Sequence, residues 1–309
     1  MKKELSLLTV LVLIPLTSVS AADYPTAQKD LSVAANPVAS QLPPGKKWKL
    51  VWSDEFNGTE LDRTKWDYRL HIMQTRYETW TEDAAALDGK GNLLLKVYEK
   101  GGHYYSSQLQ TGCNYLDRPG SPYGKSRFTW PIAKIAAPKF LHKYGYYEIR
   151  CQLPKQPGYW AAFWLQSPTI GSTLDPQTSG VEIDIMENFT RDGVISHNIH
   201  WSGYGADHKG NGSGPVRKPE LSEGFHTFGV DWSAEGYVFY TDGQVTWRVA
   251  GPVSDREQFL LVSAECNGYR QGGPAPELKN ARLPDYFVVD YVRVFDQVSE
   301  EPSSPPAQP

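Results

Sequence analysis

An all-β fold, built as an antiparallel two-sheet sandwich, is what the sequence predicts, and three observations carry the prediction. Short runs of strand length, rich in β-branched and aromatic residues, follow one another with turn residues between them. Helical periodicity is hard to find anywhere in the chain. Residues 45–298 contain no repeat and no internal linker, and that length suits one β-sandwich domain around a single core.

Taken in order, residues 1–22 read as an export signal: Lys2 and Lys3, an apolar run from Leu5 to Leu16, then small residues through Ser20, Ala21 and Ala22, with cleavage expected just after Ala21 or Ala22. The run is too short for a membrane span, and no later segment has enough uninterrupted apolar residues to cross a bilayer. A secreted or periplasmic protein is expected. Residues 23–44 form an N-terminal leader. Strands are then expected in "WKLVWSDEF", "GNLLLKVYEK", "YGYYEIRCQLP", "GYWAAFWLQS", "VEIDIMENF", "VISHNIHW", "HTFGVDWS", "GYVFYTDGQVTWRVA", "EQFLLVSAEC" and "YFVVDYVRVF". Asp242-Gly243, between "YVFYT" and "QVTWRV", signals a hairpin closed by a type I′ turn. The last stretch, "SEEPSSPPAQP" at 299–309, lacks the apolar residues that would offset ordering entropy and is expected to be a disordered tail.

Composition narrows the function. A net charge of −4 with no basic block gives no support for nucleic-acid binding. Ten Trp, 18 Tyr and 11 Phe exceed what a sandwich core obviously needs, so some of them should face a ligand, and flat apolar rings suit the faces of sugars. Cys113, Cys151 and Cys266 allow one disulfide in an oxidising compartment, with three pairings, or none, left open, and they lack the spacing of a zinc site.

Alternation assigns faces. In "GYYEIRCQL", Tyr147, Ile149 and Cys151 lie on one side, with Tyr146, Glu148 and Arg150 on the other. In "YWAAFWLQ", Tyr159, Ala161, Phe163 and Leu165 make an apolar face. Trp160, Ala162, Trp164 and Gln166 make a second face, with two indoles separated by a small residue.

"GVEIDIMENF" is the unusual segment, because Glu182, Asp184 and Glu187 are set among Ile183, Ile185, Met186 and Phe189, where charge is costly. Period two places Glu182 and Asp184 on one face but sends Glu187 to the other. A β-bulge at Ile185-Met186 would restore Glu187 to that face and bend the strand. Along a flat strand the Cα atoms of Glu182 and Glu187 would stand roughly 13 Å apart. Inward-leaning side chains are then needed to reach the ~5–5.5 Å separation of a retaining glycosidase pair. In that chemistry one carboxylate attacks the anomeric carbon and one carboxylic acid protonates the leaving oxygen. Crowded like charges hold the two protonation states apart, with Asp184 between them as an orienting group. A solvated strand face or a calcium site would also use acids, but no cation interleaves these three and calcium wants more oxygen ligands.

At these residues the chain resembles glycoside hydrolase family 16, whose signature is Glu-x-Asp-x-x-Glu on a bulged strand. The resemblance extends to "LVWSDEFNGTELDRTKWDY", "GNLLLKV", "YGYYEIRCQLPKQPGYWAAFWLQS", "FHTFGVDWSAEGYVFYTDGQ" and "VVDYVRVF", nearly the whole of 45–298. It implies a concanavalin A-like β-jelly-roll with a concave substrate cleft, and endo-cleavage of a β-linked polysaccharide with retention. Glu182 then matches the nucleophile, Asp184 the assisting acid and Glu187 the acid/base. Trp164 matches a stacking aromatic with Trp160 beside it. His200 matches a cleft-lining His, and Asn198 shares its face.

Glu265 and Asn267, in "SAECNG", occupy one face of a strand expected to cross the cleft, and a Glu there looks more like the agarase and carrageenase side of the family. Ala161 stands where laminarinase-like members usually have Pro. A β-1,3- or mixed β-1,3/1,4-glucan is the expected substrate, with a β-galactan of agar, carrageenan or porphyran type as the alternative. A non-catalytic sugar-binding protein and a transglycosylase stay open as other outcomes. Arg118, Lys125 and Arg127, on a long connection, could meet an anionic sugar. No cofactor is expected for catalysis. The family resemblance suggests a structural Ca2+ on the convex side, with Glu55 and Asp290 as ligand candidates. The expected partner is the polysaccharide itself, bound by a monomer with no membrane span.

Overall fold

The computed structural model describes residues 38–69, 79–113, 137–189, 192–266 and 274–298. The signal segment, most of the leader, the tail, Asn267, Arg118, Lys125 and Arg127 lie outside the described residues. Within them the chain forms 17 strands: β1 (Lys47–Asp54), β2 (Asp67–Tyr68), β3 (Ala85–Leu87), β4 (Leu93–Lys100), β5 (His103–Tyr105), β6 (Ser107–Gln110), β7 (Gly145–Gln152), β8 (Tyr159–Gln166), β9 (Glu182–Asn188), β10 (Val194–Trp201), β11 (Lys209–Gly212), β12 (Val216–Arg217), β13 (His226–Ser233), β14 (Gly236–Thr241), β15 (Gln244–Val249), β16 (Phe259–Cys266) and β17 (Asp285–Val298). One antiparallel sheet runs β15-β14-β13-β7-β17-β4-β3, with β1 also on β17 and β5 on β4. The other runs β11-β10-β9-β8-β16-β6-β2, with β12 on β10. Consecutive strands such as β7 and β8 sit in opposite sheets, the connectivity of a jelly-roll.

The core lies between the sheets and obeys the alternation. Tyr147, Ile149 and Cys151 of β7 point into it, as do Tyr159, Ala161, Phe163 and Leu165 of β8, all buried in one cluster with Val230 and Trp232 of β13 and Val262 of β16. Truncating Phe163 to Ala leaves a hole under the acid-bearing sheet. It should lower unfolding free energy by about 3–5 kcal/mol, read as a lower urea midpoint at unchanged m-value. At the β14–β15 hairpin Asp242 and Gly243 take φ of 50° and 70°, both positive, as a type I′ turn requires.

Cys113, Cys151 and Cys266 are all buried and no disulfide joins them, the outcome the sequence leaves open beside the three pairings. Glu55 and Asp290, the calcium-ligand candidates, are each paired with an arginine. Arg293 grips both oxygens of Glu55, at 2.9 and 2.7 Å. Asp290, the extra residue of a bulge between Val289 and Tyr291, is paired with Arg150. Each carboxylate is thus neutralised by its own guanidinium. Arg293 also donates to Val38 O and Ser40 Oγ, tying the end of the leader to the sheet.

Candidate active site

The acidic segment becomes β9, flanked by β8 and β10. On β8, Trp164 pairs with Asp184 and Phe163 with Met186, which leaves Ile185 as the extra residue. On β10, Asn198 pairs with Asp184 and Ser196 with Glu187, the same one-residue slip. Ile185 and Met186 are both fully buried in the core, so Glu187 returns to the face of Glu182 and Asp184. A bulge leaves a backbone carbonyl out of the ladder, and a side chain takes it here. His197 Nδ1 donates to Ile185 O at 2.6 Å, while its Nε2 meets Thr246 Oγ1 at 2.8 Å. Burial pushes His197 down to about 4, so the ring stays neutral with its proton on the nitrogen that faces the carbonyl. Reading the sequence alone misses His197, although its parity in "SHNIHW", opposite to that of His200, points it at the core.

Each carboxylate has its own partners. Glu182 Oε2 accepts from Gln166 Nε2 at 2.9 Å and from the hydroxyl of Tyr204. Asp184, almost wholly buried, meets His200 Nε2 at 3.2 Å. Glu187 accepts from Trp160 Nε1 at 3.1 Å on one oxygen and from Asn198 Nδ2 on the other. His200 Nδ1 in turn lies 3.1 Å from His208 Nε2, and the two rings stack.

The electrostatics follow from this packing. Burial first, then the charge of Asp184 and that of Glu182, raise Glu187 to about 8 against the opposing hydrogen bond from Asn198. Burial alone would lower His200, but its bond to Asp184 and the charges of Asp184, Glu182 and Glu187 outweigh that and lift it to about 9. His200 is therefore a cation at neutral pH, donating from both nitrogens. His208 is pushed down, by burial and then by the charge of His200, and so is a neutral acceptor. Burial and the neighbouring Glu182 hold Tyr204 well above its ordinary value, so it stays a hydroxyl donor. Ligand atoms of Glu182, Asp184 and His200 do converge within 4.8 Å of one another. Nε2 of His200 is already committed to Asp184, so the trio reads as an internally bonded cluster instead of a metal cage.

Of the residues expected to bind sugar, Trp160, Asn198 and His200 join the acids directly. Trp160 also packs on Phe189, ring centroids 4.9 Å apart, and Phe189 is 40% exposed. Parity explains why: Asn188 turns inward and Phe189 continues the row of Glu187. Trp164 is packed more closely than Trp160. It lies on the predicted face but is only 7% exposed, its Nε1 donates to Ser263, and the Arg69 guanidinium sits 5.3 Å from its ring centre. Glu265 pairs across the ladder with Trp160 and is buried on the same side. Arg69, Gln166, Tyr204 and His208 join the site without being among the residues the sequence nominates. For Gln166 the signal is alternation along β8; the other three come from connections whose position only the fold supplies.

Two carboxyl groups on a single face, set apart by a bulge, one of them (Glu187) raised so that it keeps its proton at neutral pH, can perform paired acid and nucleophile chemistry. The family model of the Glycosyl hydrolases family 16 matches residues 77–259, a span that contains all three acids. The chain is 28% identical to the glucan endo-1,3-beta-glucosidase A1 of Niallia circulans over 80% of its own length, and spans 38% of that longer protein. It is 28% identical to the kappa-carrageenase of Pseudoalteromonas carrageenovora, with 93% of this chain and 76% of that one covered. Among solved structures it resembles the catalytic domain of an endo-1,3-beta-glucanase (laminarinase) from Thermotoga petrophila RKU-1, with a TM-score of 0.60 and 25% identity, covering 82% of this chain and 100% of that one.

Proposed function

The chain belongs to the Glycosyl hydrolases family 16, and from that premise we propose that it is an exported, endo-acting, retaining glycoside hydrolase that cuts internal β-1,3 or mixed β-1,3/1,4 linkages of a glucan. The observation that carries this reading is the bulge at Ile185, which sets Glu182 and Glu187 on one face, with Glu187 raised by burial and by its acidic neighbours. Glu182 attacks the anomeric carbon, the bond to the leaving oxygen breaks, and Glu187 delivers its proton to that oxygen. A glycosyl ester on Glu182 results. Forming it removes the Glu182 charge, one of the causes that raise Glu187, so Glu187 ionises more readily and takes a proton from the incoming water. Asp184, held by His200, lies between the two and biases the proton toward Glu187.

A β-galactan is favoured as a second reading by one observation: a buried carboxyl, Glu265, stands beside Trp160 on the substrate face. Digestion of laminarin, lichenan, agarose, porphyran and kappa-carrageenan, with reducing ends counted and products sized, separates the readings. Rapid shortening of laminarin or lichenan is the expected result. Cleavage of the galactans alone selects the second reading, and binding without new reducing ends overturns both. An excess of sugar-transfer products over reducing ends would mark a transglycosylase.

A further inference from the structure

Arg69 is a buried cation with no obvious structural reason to be where it is. It follows β2 and is 4% exposed, on the side of the sheet that carries the acids. Among the described residues no carboxylate pairs with it. Its Nη1 and Nη2 both reach Gln166 Oε1 at 3.2 Å, and Nη1 lies 3.4 Å from Gln110 Oε1. The ring centres of Trp164 and Phe259 lie 5.3 and 6.0 Å from the guanidinium. Two amide oxygens and two aromatic faces are thin compensation for a desolvated charge. Its location is what makes it useful. Gln166, held at its oxygen by both arms of Arg69, has its nitrogen turned to Glu182 Oε2 at 2.9 Å, and that nitrogen also contacts the Tyr204 hydroxyl. The amide is thereby fixed in orientation, because its acceptor end is taken by a group that can only donate.

The geometry points to Arg69 as a positioning residue for the nucleophile, acting through Gln166. Together with Tyr204 it pins Oε2 of Glu182 and leaves Oε1 as the attacking oxygen. Among the described residues Oε1 accepts no hydrogen bond, whereas Oε2 accepts two. Polarised by the guanidinium, Gln166 is a stronger donor to Glu182. The groups facing Glu182 from other directions are Asp184 and Glu187 on β9, His200 across the β9–β10 ladder, and Tyr204 and His208 from the following connection. Of these only His200 is a cation, and it is bonded to Asp184. Arg69 is thus the one cation linked to the nucleophile through hydrogen bonds among the described residues.

This role for Arg69 rests on the proposed function, in which Glu182 is the nucleophile, so the experiment first asks that separately. A 2-deoxy-2-fluoro glycoside carrying a good leaving group is used to label the wild-type enzyme, and the labelled peptide is mapped. A label away from Glu182 overturns the proposed mechanism before Arg69 is considered. With the label on Glu182, kcat and KM are measured separately for Arg69→Met, Arg69→Lys and Gln166→Leu. Both Arg69→Met and Gln166→Leu should lower kcat by about 10–100-fold through misplacement of the nucleophile, with KM changed less than about threefold. Arg69→Lys, which keeps the charge and loses the fork, should recover kcat only in part. The double variant should be no slower than either single one, as expected of two links in one chain. An increase in KM at unchanged kcat would make Arg69 a substrate contact and overturn the proposal, as would an unchanged kcat in folded Gln166→Leu. Should Arg69→Met fail to fold, Gln166→Leu and Arg69→Lys decide the matter alone.

Discussion

Replacing Glu182 by Gln should lower kcat by on the order of 10⁴–10⁶-fold while leaving the protein folded and able to bind polysaccharide. Gln has the shape of Glu, and its amide oxygen can still accept from Gln166 and Tyr204, the two groups that hold the side chain. What it lacks is a charge that can form an ester with the anomeric carbon. The loss therefore falls on kcat, and binding measured by affinity electrophoresis should be preserved to within a few-fold. The sharper form of the experiment uses Glu182→Ala with a substrate bearing a good leaving group and added azide. Azide fits the space vacated by the carboxylate and displaces the leaving group in a single step from that side, giving a glycosyl azide of inverted configuration. Wild-type turnover rate in Glu182→Gln would remove Glu182 from the reaction.

The placement of these acids is legible in the amino-acid sequence itself. Three carboxylates at spacings of two and three, among residues that must be buried, admit few arrangements. One extra residue at Ile185-Met186 puts all charges on one side and both apolar residues on the other, which is the arrangement seen. Period two likewise assigns the faces of β7 and β8. Other features leave no local trace. Lys209–Gly212, "KGNG", has no apolar residue and is a strand only because β10 offers it an open edge. Arg69 and Gln166 are 97 positions apart, and an arginine after "WDY" reads as an ordinary surface residue until β2 is placed beside β6. Trp164 shows the same limit from the other side. Alternation fixes its face, but whether a sugar or a guanidinium lies over an indole depends on a segment remote in sequence. Glu55 and Asp290 resemble cation ligands in sequence because each arginine that neutralises them is distant along the chain, at 293 and 150.

Glu187→Ala should behave in the opposite sense to Glu182→Ala, and the contrast assigns both roles at once. On an unactivated polysaccharide, loss of the proton donor should cost about 10²–10⁴-fold in rate. On an aryl glycoside whose leaving group needs no proton, the first step survives and the glycosyl ester on Glu182 accumulates, since no base remains to activate water. Azide needs no base. It should release the ester from the face once served by Glu187 and give a glycosyl azide of retained configuration. The pH profile provides an independent check with a definite sign. Glu187 is held protonated up to about 8 by burial and by Asp184, so its acid function is present below that pH and is lost as pH rises through it. Wild-type kcat/KM should therefore fall on the alkaline side near pH 8. In Glu187→Ala acting on the aryl glycoside that limb should disappear, because the group that titrates there is gone. Substituting Asn198 by Ala removes the hydrogen bond that favours the charged form, so it should carry the limb to higher pH. If instead the limb survives Glu187→Ala at its original position, His200, lifted to about 9, becomes the titrating group and Glu187 loses its place as the proton donor.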